Sequence, residues 1–315
     1  MAEKAVQRET VLSLRETIAQ IENRRLPGIM RAAKAADPAG FRRKREEASC
    51  NKILPLGVPP LDDVLDGGLP LEGMTEIRNV ETRDAGAAAG FVTALAVLCQ
   101  RRKKEKGHLA PVLWISQALA SREAGFPYAP GLKSYGLDIE RFLFVSIRTV
   151  KDALWVAETA LSVPVFAAVV LEIRGNPDCL ALSESRRLHV RARADGVPLL
   201  LFRQAGEEEA SSAFFRLQIK PAFAGERPLP DGSMLCGSIG HPAFHVLVEK
   251  SRAYASADIF LEWNAHDRRF YPIEQSVAPQ ADGQSANSVD PFSASVGRSS
   301  GADSLGRLLA YARAS

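Results

Sequence analysis

Apolar residues between positions 53 and 202 fall into two rhythms. Short unbroken apolar runs predict buried strands, and runs spaced at three and four predict helices. Met74–Arg78, Val112–Ser116 (VLWIS), Phe142–Ile147, Phe166–Ile173 (FAAVVLEI) and Pro198–Phe202 (PLLLF) read as strands. FAAVVLEI carries the strongest signal of a strand buried on both faces. Gly90–Gln100 (GFVTALAVLCQ) and Ser183–Ala194 read as helices. A third helix begins after Thr149, an N-cap with Asp152 three residues on, and carries the stripe Val150, Leu154, Ala157 and Leu161. Strands alternating with helices predict a mostly parallel sheet covered on both faces.

Outside this stretch the rhythm changes. After residue 210, AFFRLQIKPAF, FHVLVEKSR and DIFLEWNAHDRRFYPI read as strands joined by turns, an antiparallel extension of the sheet. At the start, Val11, Leu14, Ile18 and Ile21 form one helical stripe, followed by a basic linker broken by Pro27, Gly28, Pro38 and Gly40. From about Ser276 to Gly301 core-forming residues almost vanish, which predicts disorder. Leu305, Leu308, Leu309 and Tyr311 then restore a short apolar motif. The expected division is a helical arm and basic linker (1–50), a core (51–275) and a tail with a terminal helical motif (276–315). The stripe around Leu14 and Ile18 and the motif around Leu308 and Leu309 are the candidate partner-binding elements. The alternative for each is local: a helix packed on its own domain, and a frayed end.

Composition narrows the class only a little. The chain has 315 residues, 46% hydrophobic and 24% charged, with a formal charge of +3. That is ordinary for a globular protein and too mild for a basic footprint over the whole chain. Cys50, Cys99, Cys179 and Cys236 form no CxxC pair, which argues against a disulfide framework and suits a reducing compartment. The opening MAEKAVQRET lacks a signal-peptide core, and no run approaches the ~18 apolar residues of a membrane helix. The expectation is a cytoplasmic protein without a membrane partner.

The candidate chemistry sits after the first strand of the core. ILPLGVPPLDDVLDGGLPLEGMTEI, residues 53–77, leads into the place where a phosphate-binding loop G-x-x-x-x-G-K-[ST] would stand. The residues there are NVETRDAG. Asn79 and Asp84 occupy the glycine positions, Ala85 the lysine position and Gly86 the hydroxyl position. Such a loop needs glycines so that backbone N–H groups can wrap phosphates, a lysine on the β- and γ-phosphates, and a hydroxyl on Mg²⁺. Asp84 would turn a negative charge on the ligand instead. Neither a cofactor nor a metal is expected.

The order of elements resembles the RecA core over residues 53–273. The stretches Glu81–Phe91 (ETRDAGAAAGF), Phe126–Val145 (FPYAPGLKSYGLDIERFLFV), Ala167–Gly175 (AAVVLEIRG) and FLEWNAHDRRF resemble the ImuA family, RecA-like accessory proteins of bacterial inducible mutagenesis. The resemblance implies an α/β, RecA-like P-loop-type core: a mostly parallel sheet flanked by helices, an antiparallel extension and a degenerate Walker A loop. It also implies a non-catalytic adaptor in damage-induced translesion synthesis. The implied partners are ImuB, a Y-family polymerase-like scaffold, and through it an error-prone C-family polymerase. Contacts with RecA and with DNA stay open.

Other RecA parts map unevenly. The water-activating acid that follows the second strand of RecA falls at Ala118. Glu172 stands at the Walker-B position, with helix capping or pairing with Arg174 as its structural alternative. RecA binds DNA through the loops after the strands matching FAAVVLEI and PLLLF, and Gln204 matches the glutamine that couples them to nucleotide, with a hydrogen-bonding strand end as its structural alternative. Here Glu207, Glu208 and Glu209 follow it and would repel phosphates. Basic runs at Arg42–Arg45, at Arg101–Lys104 and along Arg186, Arg187, Arg191 and Arg193 are the other candidate DNA contacts. Cys236, His241 and His245 lack a fourth nearby ligand for zinc. Trp114, Trp155 and Trp263 are expected in the core. Two further readings stand beside the adaptor: a nucleotide-dependent DNA-binding ATPase or recombination mediator, and a division inhibitor of the SulA type.

Overall fold

The structure, a computed structural model, describes residues 52–229, 231, 233–235, 238–251 and 257–273. The arm with Leu14 and Ile18, the Arg42–Arg45 run, the tail with Leu308 and Leu309, and Cys236 lie outside the described residues.

The entry to the core is a small scaffold held by one carboxylate. β1 (Ile53–Leu54) pairs with β2 (Leu69–Pro70), and α1 (Pro59–Val64) fills the connection. Asp62 accepts the backbone N–H groups of Leu56 and Gly57 at 2.8 and 2.9 Å, fixing the Leu-Pro-Leu-Gly turn onto the helix. Gly68 has φ +132°, and a Cβ there would lie 2.4 Å from the carbonyl oxygen of Leu54. Only glycine lets the two chain segments approach that closely.

The chain then builds a sheet from β3 (Gly73–Arg78), β4 (Val112–Gln117), β5 (Phe142–Ile147), β6 (Ala168–Arg174), β7 (Pro198–Gln204), β8 (Phe215–Pro221), β11 (Ala243–Lys250), β12 (Asp258–Asn264) and β13 (Arg269–Pro272). A two-stranded ribbon, β9 (Arg227–Pro228) with β10 (Met234–Leu235), stands apart. The order across the large sheet is β13-β12-β11-β8-β3-β7-β6-β4-β5. From β5 to β8 every pairing is parallel, and from β8 to β13 every pairing is antiparallel. The fold is therefore α/β and RecA-like in its element order, with β3 central between β7 and β8.

Helices cover both faces because the parallel strands are apolar on both faces. On one face lies α2 (Ala85–Glu105), which buries Ala88, Phe91, Val92 and Leu95 against Ile77, Phe202, Leu217 and Phe244. On the other lie α5 (Val150–Leu161) and α6 (Leu182–Asp195), over Met74, Ile115, Leu171 and Leu199. α3 (Ala118–Ala124) and α4 (Ala129–Ser134) are short helices in the connections flanking residues 125–128. Thr149 caps α5 by accepting the N–H of Asp152 at 3.2 Å, and all four stripe residues of that helix are buried.

Four details differ from the sequence reading. α2 begins at Ala85, not Gly90, because AGAAA is a strong helix-forming run once no loop is needed there. The segment Thr82–Glu105 is also long and apolar enough to cross a membrane by composition, contrary to the hydropathy reading, but 72% of its apolar window is buried inside the protein. β8 joins the sheet in parallel with β3, so the antiparallel extension starts one strand later than expected. Trp114 and Trp263 are core residues, whereas Trp155 is 67% exposed on the outer side of α5, because it falls off that helix's buried stripe.

Replacing Gly68 with alanine should destabilise the fold by about 2 kcal/mol or more, since it adds both a backbone clash and a strained φ. The urea midpoint measures it. A loss below about 0.5 kcal/mol would show that the turn relaxes freely.

Candidate functional site

Ligands of open α/β sheets bind outside the carboxyl ends of the strands. At the end of β3 the chain makes a brief loop, a single 3₁₀ turn at Thr82–Asp84, and then α2. A phosphate-wrapping nest needs residues that alternate into the left-handed region. None of the residues from Asn79 to Gly86 has a positive φ. Asn79 is fully buried, and its side-chain N–H group donates to the carbonyl of Glu81 at 2.7 Å. Asp84 is mostly buried at the N-terminal end of α2 and caps no backbone N–H with its side chain. Ala85 is buried, and Gly86 has open space where a Cβ would go. The backbone N–H groups of Asn79, Asp84 and Ala85 are bonded to the carbonyls of Arg203, Glu81 and Thr82.

Behind this loop the remaining polar groups serve one another. Glu172, on β6, is 4% exposed and accepts from the indole N–H of Trp114 at 2.8 Å and from the side-chain amide of Gln204. Burial pushes its carboxyl above the usual range, opposed by hydrogen bonds from Trp114, Ser116 and Gln204. Glu172 does not pair with Arg174. The two lie on the same face of β6, but Glu172 is taken by Trp114 and Gln204, and Arg174 bonds Thr82 Oγ1 at 2.9 Å and Glu123 at 2.6 Å. The guanidinium thereby ties the degenerate loop to α3. Ala118, at the position of the water-activating acid, is the first residue of α3. Gln204 is buried, and its Oε1 has no hydrogen-bond partner, as is true of Asn79 Oδ1.

The loop after β7 carries the feature the sequence reading missed. Glu76, in the middle of β3, is fully buried. Arg203 of β7 approaches one carboxylate oxygen at 3.1 Å, and Arg216 of β8 approaches the other at 3.3 Å. Ser211 donates to the same carboxylate. These guanidiniums reach on into the loop: Arg203 to Glu209 at 3.4 Å, and Arg216 to Glu208 at 3.8 Å and to the carbonyl of Glu209. Asn176 brackets Glu207 by accepting its N–H at 2.8 Å and donating to its carbonyl at 3.1 Å. Lys250 bonds the carbonyl of Ser211 at 2.7 Å, and Arg78 bonds that of Gly206 at 2.7 Å while also pairing with Glu249. Glu209 and Glu208 thus lie within ion-pair distance of buried arginines, and Glu207 forms no ion pair among the described residues. The available signal was a charged residue inside each of three apolar strand runs, in TEIR, LFRQ and FFRLQ.

The remaining candidates are dispersed. Arg186, Arg187, Arg191 and Arg193 are all exposed on α6. Arg187 pairs with Glu158 at 3.2 Å and Arg191 with Asp195 at 3.4 Å. Gln204 is buried on the other side of the sheet from them. His245 pairs with Asp258 and stacks on Phe260, and no cluster that could hold a metal exists among the described residues.

No protein-family model matches the chain, and no curated protein matches it. Among solved structures it is similar to the crystal structure of the RadB recombinase, at 16% identity and a TM-score of 0.45. That likeness covers 70% of this chain and 100% of the other. It is too remote to carry weight, and the fold assignment rests on the sheet's own order and connections.

Two outcomes are expected. Glu76→Gln leaves two buried guanidiniums without their full counter-charge and should cost about 3–5 kcal/mol in urea unfolding; a loss below about 1 kcal/mol would mean that the pairs contribute little. Glu172 has a raised folded-state pKa, so its contribution is largest below the ordinary value of 4.5 and is lost as pH rises through the folded-state value. Glu172→Gln removes that dependence, and its amide can also donate to Gln204 Oε1. The variant should therefore gain on the wild type between acid and mildly alkaline pH. Urea midpoints at the two ends of that range test it, and a gap that stays constant or moves toward the wild type contradicts it.

Proposed function

We propose that this chain is a non-catalytic RecA-like adaptor of the ImuA type, acting in the bacterial cytoplasm to assemble an error-prone translesion polymerase complex. Its direct partner on this reading is ImuB, which brings in the C-family polymerase. The observation that carries the proposal is the state of the nucleotide position. The loop there is a 3₁₀ turn without a nest, its lysine and hydroxyl are replaced by Ala85 and Gly86, and Arg174 crosses to Glu123 beside it. Glu172 is spent on Trp114 and Gln204, which leaves it unsuited to ordering Mg²⁺. Losing one charge-assisted contact weakens phosphate binding by about 1.5–3 kcal/mol, and Asp84 adds repulsion to that. A scaffold that keeps its fold and discards its phosphate chemistry works through its surfaces.

Purified protein titrated with a fluorescent ATP analogue and Mg²⁺ should show no saturable binding up to millimolar nucleotide, with or without single-stranded DNA. The same preparation should co-purify with ImuB. Micromolar nucleotide binding, or ATP hydrolysis abolished by Glu172→Gln, would replace the adaptor by a nucleotide-dependent ATPase.

A further inference from the structure

The nucleic-acid contacts suggested by sequence on α6 and at Gln204 are half ion-paired or buried; in the basic run at the end of α2, Arg101 pairs with Glu105, but Lys104 is exposed and has no ion pair among the described residues. Arg101 lies 16 residues beyond the start of α2, about 24 Å along the axis at 1.5 Å per residue. It is therefore remote from the degenerate loop. There, three chain segments enclose a cleft of about 400 Å³, lined by Arg101, Lys104, Lys133, Arg141 and Arg268, with Asp138 and Glu140 as its acids.

The walls are fastened to one another. The side chain of Gln100 donates to the carbonyl of Arg141 at 3.1 Å and accepts the N–H of Asp138 at 3.0 Å. Arg141 bonds the carbonyl of Leu109 at 3.3 Å, and Arg101 bonds that of Arg268 at 3.1 Å. Arg268 has a left-handed backbone, φ 53°, and its side chain lies over Gly136, where a Cβ would come within 3.1 Å of Nε. The missing side chain of Gly136 thus leaves a path for that guanidinium.

The charges do not cancel. Arg141 pairs with Asp138 at 3.4 Å and Arg101 with Glu105 at 3.2 Å. Lys104, Lys133 and Arg268 are exposed and have no ion pair among the described residues. Phe, Tyr and Trp are absent from the lining, so bases have no stacking platform and a protein partner has no aromatic anchor.

We infer that this cleft binds the phosphate backbone of nucleic acid without reading sequence, through Lys104, Lys133 and Arg268. Duplex should bind at least as tightly as single strand, because its charge density is higher and stacking contributes nothing. The inference stands apart from the adaptor reading, since binding here requires no nucleotide.

The test is fluorescence anisotropy of the full chain with a labelled short duplex, the matching single strand and a labelled poly-glutamate peptide, between about 50 and 200 mM salt. Three phosphate contacts give a slope of log K on log salt of about −3 for duplex. Lys104→Glu with Lys133→Glu should weaken duplex binding at least tenfold and reduce the slope by about 2. Arg186→Glu with Arg193→Glu, on exposed α6, should change it less than about twofold. The inference is overturned if the wild type binds neither nucleic acid, if the cleft pair binds duplex like the wild type, if the α6 pair abolishes binding instead, or if poly-glutamate binds in a cleft-dependent way and duplex does not.

Discussion

The middle of this sheet is held by a carboxylate with no access to water. Glu76 sits on the central strand, and its two oxygens face arginines from the strands on either side. An ionised carboxylate buried alone would cost several kcal/mol in desolvation, so it persists only because both guanidiniums and Ser211 meet it. The arginines have donors left over, and the nearest acceptors belong to the loop after β7. Fixing Glu76 therefore fixes Arg203 and Arg216, and they in turn hold Glu208 and Glu209. One buried charge in the centre of the sheet sets the position of a surface loop.

That constraint bears on what the rim of the sheet can do. The loop after β7 is bonded at Gly206, Glu207, Glu208, Glu209 and Ser211 to Arg78, Asn176, Arg216, Arg203 and Lys250 in turn. The loop after β3 is equally committed, as a 3₁₀ turn running into a helix. The buried groups left unpaired beside it, Asn79 Oδ1 and Gln204 Oε1, are acceptors, the wrong polarity for phosphate oxygens. Unbalanced positive charge lies instead at the far end of α2.

Most of the architecture was legible because the strands are apolar on both faces and the helices are striped. VLWIS, FAAVVLEI and PLLLF have no other stable use than a covered sheet, and Val150, Leu154, Ala157 and Leu161 mark the buried side of α5. Strand direction was not legible: FFRLQIK carries the same pattern whether it runs with β3 or against it, and only its partner decides. Trp155 was misplaced because aromaticity argues for burial while its helical position argues against it, and position won. At the site, the loss of lysine and glycine could be read from spacing alone. The Glu76 cluster could not, because its members lie far apart in sequence and meet only through the order β7-β3-β8.

A RecA-like core without a phosphate nest need not be less stable for lacking one. A working phosphate nest holds residues in strained backbone and keeps donors unpaired for a ligand that stabilises the native state by mass action. An alanine-rich first turn beginning at Ala85 needs no left-handed backbone and favours helix. Pairing Arg174 with Glu123 and Glu172 with Gln204 supplies internally the contacts a ligand would otherwise bring. The core's own side chains hold its rim together, which suits the adaptor proposed above.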